Sequence, residues 1–156
     1  MNDIVLGRCE TGRMIDFETR VNGVFVNDHA GDGLIAATPT GSTAYALSCG
    51  GPIIQPGLDA VVLVPVCPHT LSDRPIVLPA TSVIDVERTQ RASTEAEISV
   101  DGQFLAPLPA GHRLQISAAS ERLTLIHPPG YDYFELLRSK LNWGASSRRP
   151  SAPQKD

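Results

Sequence analysis

Cysteine is scarce in this sequence. Cys9, Cys49 and Cys67 are odd in number and far apart, and no Cys-x-x-Cys pair exists. That spacing argues against a disulfide framework and against a cysteine-bound zinc, and three thiols without a framework suit a reducing compartment. Long apolar runs are missing too. No stretch approaches the roughly 20 residues that cross a bilayer, and the N-terminus lacks the basic-then-apolar layout of a secretory signal. The expectation is a cytoplasmic protein with no membrane partner. Neither sign of charge dominates: 13 Lys and Arg stand against 17 Asp and Glu, a net charge of −4. Such a balance gives no reason to expect a nucleic-acid partner. Heptads and internal repeats are absent.

What is present is turn chemistry. The 156 residues include 13 Gly and 13 Pro, set between short apolar runs, and 42% are hydrophobic, enough for the core of one domain. Met14 to Val21 alternates apolar and polar residues, the period of a half-buried strand. Asn22-Gly23 supplies a hairpin turn, and Val24-Phe25-Val26 returns. Further short strands are expected at Ile4 to Leu6, Leu34 to Ala37, Ile76 to Leu78, Val83 to Glu87, Ala96 to Val100, Phe104 to Leu108, Leu114 to Ala118 and Leu123 to His127. Gly102 and Gly111 sit at turns between them. Ala60 to Val66 is apolar throughout, as a strand buried on both faces is. This spacing predicts a mainly β fold, a sandwich-like stack of sheets. Tyr133, Phe134, Leu136, Leu137 and Leu141 then recur at helical spacing. They predict a C-terminal amphipathic helix from about Asp132 to Asn142, stopped by Gly144. Residues 145–156 are polar and proline-bearing and are expected to form a disordered tail.

The chain is organised around Thr38-Pro39-Thr40-Gly41-Ser42-Thr43-Ala44-Tyr45-Ala46-Leu47-Ser48. An acidic glycine turn, Gly31-Asp32-Gly33, and the buried run Leu34 to Ala37 lead into it. Pro39 and Gly41 break the strand, and Ser42 or Thr43 is expected to cap a short helix through Leu47. Free N–H groups at a helix start suit phosphate oxygens, and the Tyr45 ring suits the flat face of a nucleobase. Gly-, Ser- and Thr-rich turns of this kind also occur without a ligand. The stretch is not a Walker A loop, because no Lys follows Gly41, and it is not a dinucleotide glycine fingerprint either.

Asp32-Gly33-Leu34, Thr38 to Ser48 and Gly50-Gly51-Pro52 together resemble the C-terminal domain of NAD kinases. Pro68-His69-Thr70-Leu71-Ser72 with Arg74-Pro75 resembles that family's proline-framed segment. Asn2-Asp3, Asp101-Gly102-Gln103 and Ile126-His127-Pro128 with Tyr131 to Phe134 match further blocks in the same order. The matches span residues 2 to about 143, and five collinear blocks are far more specific than any one. The resemblance implies binding of NAD and its phosphorylation at the adenosine ribose 2′-hydroxyl to NADP. The donor would be ATP or polyphosphate, with a divalent metal such as Mg. It also implies a homo-oligomer. The family's catalytic carboxylate lies in a Gly-Gly-Asp-Gly loop of an N-terminal domain. This sequence carries no such loop, so the resemblance makes residues 1–144 the NAD-binding domain, the N-terminal domain missing and the fragment inactive alone.

The same resemblance assigns the binding residues. Asn2 and Asp3 match the pair that contacts ribose and phosphate, with Asp at position 3 one methylene shorter than the Glu common there. Asp32 matches a residue facing amide or amino groups of the dinucleotide, and so is given to binding rather than proton abstraction. Thr43, Ala44, Tyr45 and Ser48 match the adenine and ribose wall, and Gln103 a further polar contact. No catalytic residue and no metal ligand is expected on this chain. His69 and His127 are expected to be packed, hydrogen-bonded structural groups, since no histidine has a visible partner for acid–base work. In the family the C-terminal helix packs toward the N-terminal half, so an apolar face left open predicts self-association. Two other readings fit the same pattern: the β domain of a related diacylglycerol- or sphingosine-type lipid kinase, and a non-catalytic module for nucleotide binding or assembly.

Overall fold

The computed structural model of the chain describes residues 1–10, 12–89 and 94–142. The chain divides into two compact units, Met1–Ser120 and Glu121–Asp156. Among the described residues the first holds ten strands: β1 (Asp3–Arg8), β2 (Ile15–Val21), β3 (Val24–Gly31), β4 (Gly33–Ala37), β5 (Ala60–Val66), β6 (Ile76–Pro79), β7 (Ile84–Arg88), β8 (Ala96–Val100), β9 (Gln103–Pro107) and β10 (Arg113–Ile116). A 3-10 turn at Gly41–Thr43 and helix α1 (Tyr45–Ser48) lie between β4 and β5.

The strands make a six-stranded sheet in the order β6-β5-β4-β1-β8-β9 and a four-stranded sheet in the order β10-β7-β2-β3. Every pairing is antiparallel. The expected stacked-sheet fold is what forms. Alternation decides which side chains meet between the sheets: Ile15 and Phe17 of β2 and Ile84 and Val86 of β7 share one buried cluster with Leu6, Leu34 and Ile98 of the larger sheet. A second cluster covers the other face of the larger sheet, joining Ile35 and Ala37 of β4 to Val62, Val64 and Val66 of β5, with Ala46 of α1 and Ile54 of the following loop. The central strands β4 and β5 are therefore buried on both faces, which is why they read as unbroken apolar runs. The Asn22-Gly23 hairpin forms with both residues at positive φ, 52° and 78°, as a two-residue turn of this kind requires.

The structure corrects two of the secondary-structure expectations. Neither Ser42 nor Thr43 caps a helix: α1 starts after Ala44, with no side-chain cap bond. Ser42 is instead fully buried, its hydroxyl donating to the Pro39 carbonyl at 2.6 Å and accepting from the Ile54 amide at 2.9 Å. A buried hydroxyl between two main-chain groups outcompetes a cap on a four-residue helix that is open to water. The second correction is at Leu123 to His127, which is no strand. Its backbone makes no ladder bonds among the described residues, and Leu123 and Ile126 are 82% and 92% exposed. Alternation signals a strand only where an edge accepts it.

In the second unit, helix α2 (Tyr133–Leu141) forms close to its expected bounds. The Asp132 side chain caps it by accepting from the Phe134 amide at 2.8 Å. Asn142, in the left-handed region at φ 49°, ends it. Gly144 and the expected tail lie outside the described residues. No described helix is long and apolar enough to cross a membrane.

Replacing Ser42 by Ala removes the buried hydroxyl that bonds both the Pro39 carbonyl and the Ile54 amide. The expected loss is about 1–3 kcal/mol, measured as a lower urea midpoint with an unchanged m-value.

Candidate functional site

The turn after β4 is fixed by main-chain contact with the start of β1. The Thr38 amide donates to the Asn2 carbonyl at 2.9 Å, and the Thr38 hydroxyl donates to the Met1 carbonyl at 3.0 Å. Gly41 passes so close that a Cβ there would lie 2.0 Å from the Asn2 carbonyl oxygen. The Ser42 and Ala44 amides close the turn on Thr38 and Gly41, at 2.9 Å each. Glycine at 41 therefore answers a close approach, not a need for unusual dihedrals.

Asn2 and Asp3 are held from the other side. The Asp101 carboxylate, at the tip of the β8–β9 hairpin, accepts from the Asn2 amide at 2.5 Å and the Asp3 amide at 3.2 Å. Those two backbone donors hold the Asp101 carboxyl below the usual carboxylate range. Asp3 is only 5% exposed. Its burial first, and the Asp101 charge second, push its carboxyl above that range. The two carboxyls thus lean in opposite directions beside one stretch of main chain.

Asp32 lies at the bend between β3 and β4, where its amide donates to the Val66 carbonyl at 2.9 Å. Arg8, at the end of β1, grips it with a fork: Nε to Oδ1 at 2.8 Å and Nη2 to Oδ2 at 3.2 Å. Asp32 and Tyr45 line one cavity of about 240 Å3, together with Val5 to Arg8 and Val66. The Tyr45 ring is half exposed, at 47%. Its phenol is pushed up by burial first and by the neighbouring Cys49 thiol second, so it stays a neutral hydrogen-bonding group at physiological pH.

The structure thus brings the expected residues together in two groups along β1. Asn2 and Asp3 sit with the Thr38–Gly41 turn at its start, and Asp32 and Tyr45 share the cavity at its end. Thr43 and Ala44 lie on the chain between the two groups, Thr43 bonding the Thr40 carbonyl at 3.3 Å. Ser48 is exposed on the last residue of α1. Gln103 is exposed at the start of β9, and its side chain makes no hydrogen bond among the described residues. Sequence reasoning missed Arg8 and the Asp101 carboxylate. Arg8 carries no local signal, because only the pairing of Gly7 with Gly33 sets it beside Asp32. Asp101 was legible as part of a hairpin, but not as the anchor of residues almost a hundred positions away.

The histidines depart from expectation. His69 is exposed and not packed. His127 is exposed as well and stacks on Tyr131, with ring centroids 3.9 Å apart. The histidine most deeply engaged is His29, bonded to Asp73 at 2.9 Å and stacked on Phe17.

The chain is thus a β domain of two antiparallel sheets with a Gly-, Ser- and Thr-rich turn held against the start of β1. The model of the ATP-NAD kinase C-terminal domain matches residues 1–128, and the chain belongs to that family. It is 51% identical over 144 residues to the NAD kinase of Halorhodospira halophila, covering 92% of this chain and 47% of that protein. It is 46% identical over 150 residues to the NAD kinase of Aromatoleum aromaticum, covering 96% and 49%. The chain spans about half the length of the curated relatives it matches. Among solved structures, yeast NADH kinase complexed with NADH superposes with a TM-score of 0.86 at 29% identity, over 95% of this chain and 45% of the other. An NAD kinase from Archaeoglobus fulgidus in complex with ATP gives 0.67 at 32% identity, over 76% and 45%.

Two measurements check this geometry. Gly41→Ala must push the turn off Asn2 and is expected to destabilise by about 1–3 kcal/mol, read from denaturant unfolding. In a carboxyl NMR titration from neutral pH downward, Asp3 is expected to protonate before Asp101. Whatever the Asp101 contacts add to stability is complete above the ordinary carboxylate pKa. It is lost as pH falls through the depressed one, whereas protonating Asp3 relieves its burial.

Proposed function

We propose that this chain is the dinucleotide-binding half of an NAD kinase, which converts NAD to NADP by phosphorylating the adenosine ribose 2′-hydroxyl with ATP or polyphosphate. The observation that carries the reading is the shared cavity of Asp32 and Tyr45, in line along β1 with the Asn2–Asp3 anchor. A flat phenol ring offers a stacking surface for a nucleobase. Asp32, oriented by the Arg8 fork, keeps acceptor lone pairs for amide or amino hydrogens of a ligand. Asn2 and Asp3 supply polar groups for ribose and phosphate, Thr43, Ala44 and Ser48 extend the adenine and ribose wall around Tyr45, and Gln103 gives a further contact at the hairpin. The yeast relative bound to NADH and the archaeal relative bound to ATP support both ligand classes.

Phosphoryl transfer needs an orienting base and a cation at the phosphates. No three His, Cys, Asp or Glu side chains converge as cation ligands among the described residues, so these residues do not fit a resident divalent metal. The reaction's base belongs to the Gly-Gly-Asp-Gly loop that the resemblance assigns to an N-terminal domain. The full activity therefore needs that domain as well, in a cytoplasmic homo-oligomer.

Calorimetric titration tests the binding claim. NAD is expected to bind the chain, and Tyr45→Ala to weaken it by about tenfold, the worth of one base stack. No heat with NAD from a folded chain overturns the reading, as does tighter binding of a diacylglycerol or sphingosine. With ATP, polyphosphate and Mg supplied, the chain alone is expected to make no NADP; robust turnover would overturn the assignment of the base to another domain.

A further inference from the structure

Two hairpins of this chain turn through the same backbone shape. Asn22 and Gly23 stand at φ 52° and 78°, and Asp101 and Gly102 at 50° and 76°. Each turn also bonds a neighbouring segment. Asn22 donates its amide to the Val83 carbonyl at 2.8 Å, and its side-chain oxygen accepts from the Val83 amide at 2.9 Å. Asp101 donates its amide to the Asp3 carbonyl at 3.1 Å, and one oxygen, Oδ1, accepts from both the Asn2 and the Asp3 amide. A neutral side chain therefore suffices for such a turn. The charge at position 101 answers two converging donors, since a carboxylate bonds N–H groups about twice as strongly as a neutral acceptor.

That charge is costly where it stands. It adds to the burial that pushes the Asp3 carboxyl up, and it repels the phosphates that Asn2 and Asp3 are read to meet. Asn, which takes the same turn, would avoid both effects. What the carboxylate brings is a fixed main chain. The Thr38 amide donates to the Asn2 carbonyl at 2.9 Å. The main chain of Asn2 and Asp3 is thus bonded by the hairpin tip at its amides and by the Thr38–Gly41 turn at the Asn2 carbonyl.

We propose that Asp101 is a positioning residue of the dinucleotide site: its carboxylate sets the main chain of Asn2 and Asp3, from which those two side chains reach ribose and phosphate. Asp101 acts through Asn2 and Asp3 rather than on the ligand. The inference rests on the dinucleotide reading and names a residue on which its affinity depends.

Calorimetric titration of NAD into the 156-residue chain and three variants tests this, with urea unfolding of each run alongside. Asp101→Gly keeps a residue suited to positive φ and removes both side-chain bonds. It is expected to weaken NAD by about tenfold, the worth of one charge-assisted hydrogen bond, and to move the Asn2 and Asp3 amide resonances. Asp101→Asn keeps an accepting oxygen without the charge and is expected to recover part of that loss. Asn22→Gly makes the matching change at the other hairpin, where it too removes a bond to a main-chain amide. It is expected to lower the urea midpoint as Asp101→Gly does and to leave NAD affinity unchanged. The proposal is overturned if Asp101→Gly binds NAD as tightly as the unaltered chain. It is equally overturned if Asn22→Gly weakens NAD as much as Asp101→Gly, because the effect is then one of general stability. An unaltered chain that is folded and takes up no NAD overturns the dinucleotide reading and this inference with it, so the first titration tells the two failures apart.

Discussion

Strand β4 runs beside β1 with no room for a side-chain carbon where the chain enters or leaves it. At Gly33 a Cβ would fall 2.1 Å from the Leu6 carbonyl oxygen, and at Gly41 it would fall 2.0 Å from that of Asn2. Between these two points every residue of β4 is buried. The turn that follows inherits this rigidity, because its anchor is main chain rather than a rotatable side chain. The positions of Thr43, Ala44 and Tyr45 all follow from that one close approach.

The larger sheet uses its two faces differently. One face meets the smaller sheet through Leu6, Leu34 and Ile98 and supplies the bulk of the core. The opposite face is covered at β4 and β5 by α1 and the Ile54 loop. The cavity with Asp32 and Tyr45 therefore lies against a sheet whose shape is set from behind by apolar packing. Rigid sheets with functional groups on the connecting turns are a common division of labour.

Much of this was legible because it depends on local pattern. The alternation over Ile15 to Val21, the Asn22-Gly23 turn and the apolar run at Ala60 to Val66 each specify their element without reference to the rest of the chain. The blocks around Asp32, Thr38 to Ser48 and Asp101 were legible as family motifs. What was not legible depends on long-range register. Ser42 has the sequence context of a helix cap, yet it bonds a loop twelve residues away. Arg8 reads as an ordinary strand-end cation until the β1–β4 pairing sets it against Asp32. Leu123 to His127 has the pattern of a strand and lacks the neighbouring edge. His29 and Asp73 are 44 positions apart, and nothing local to either points to the other.

The Arg8–Asp32 fork carries a consequence for how sequences of this kind can drift. Each member is only about a quarter exposed, at 23% and 29%, so losing one strands a half-sheltered charge on the other, and charge burial is tolerated mainly in pairs. Substitutions at positions 8 and 32 should accordingly be inherited as a couple, with a neutral residue at one tolerated chiefly alongside a neutral residue at the other. A strand-end arginine with no motif of its own is thereby tied in its evolutionary history to an aspartate at the bend between β3 and β4.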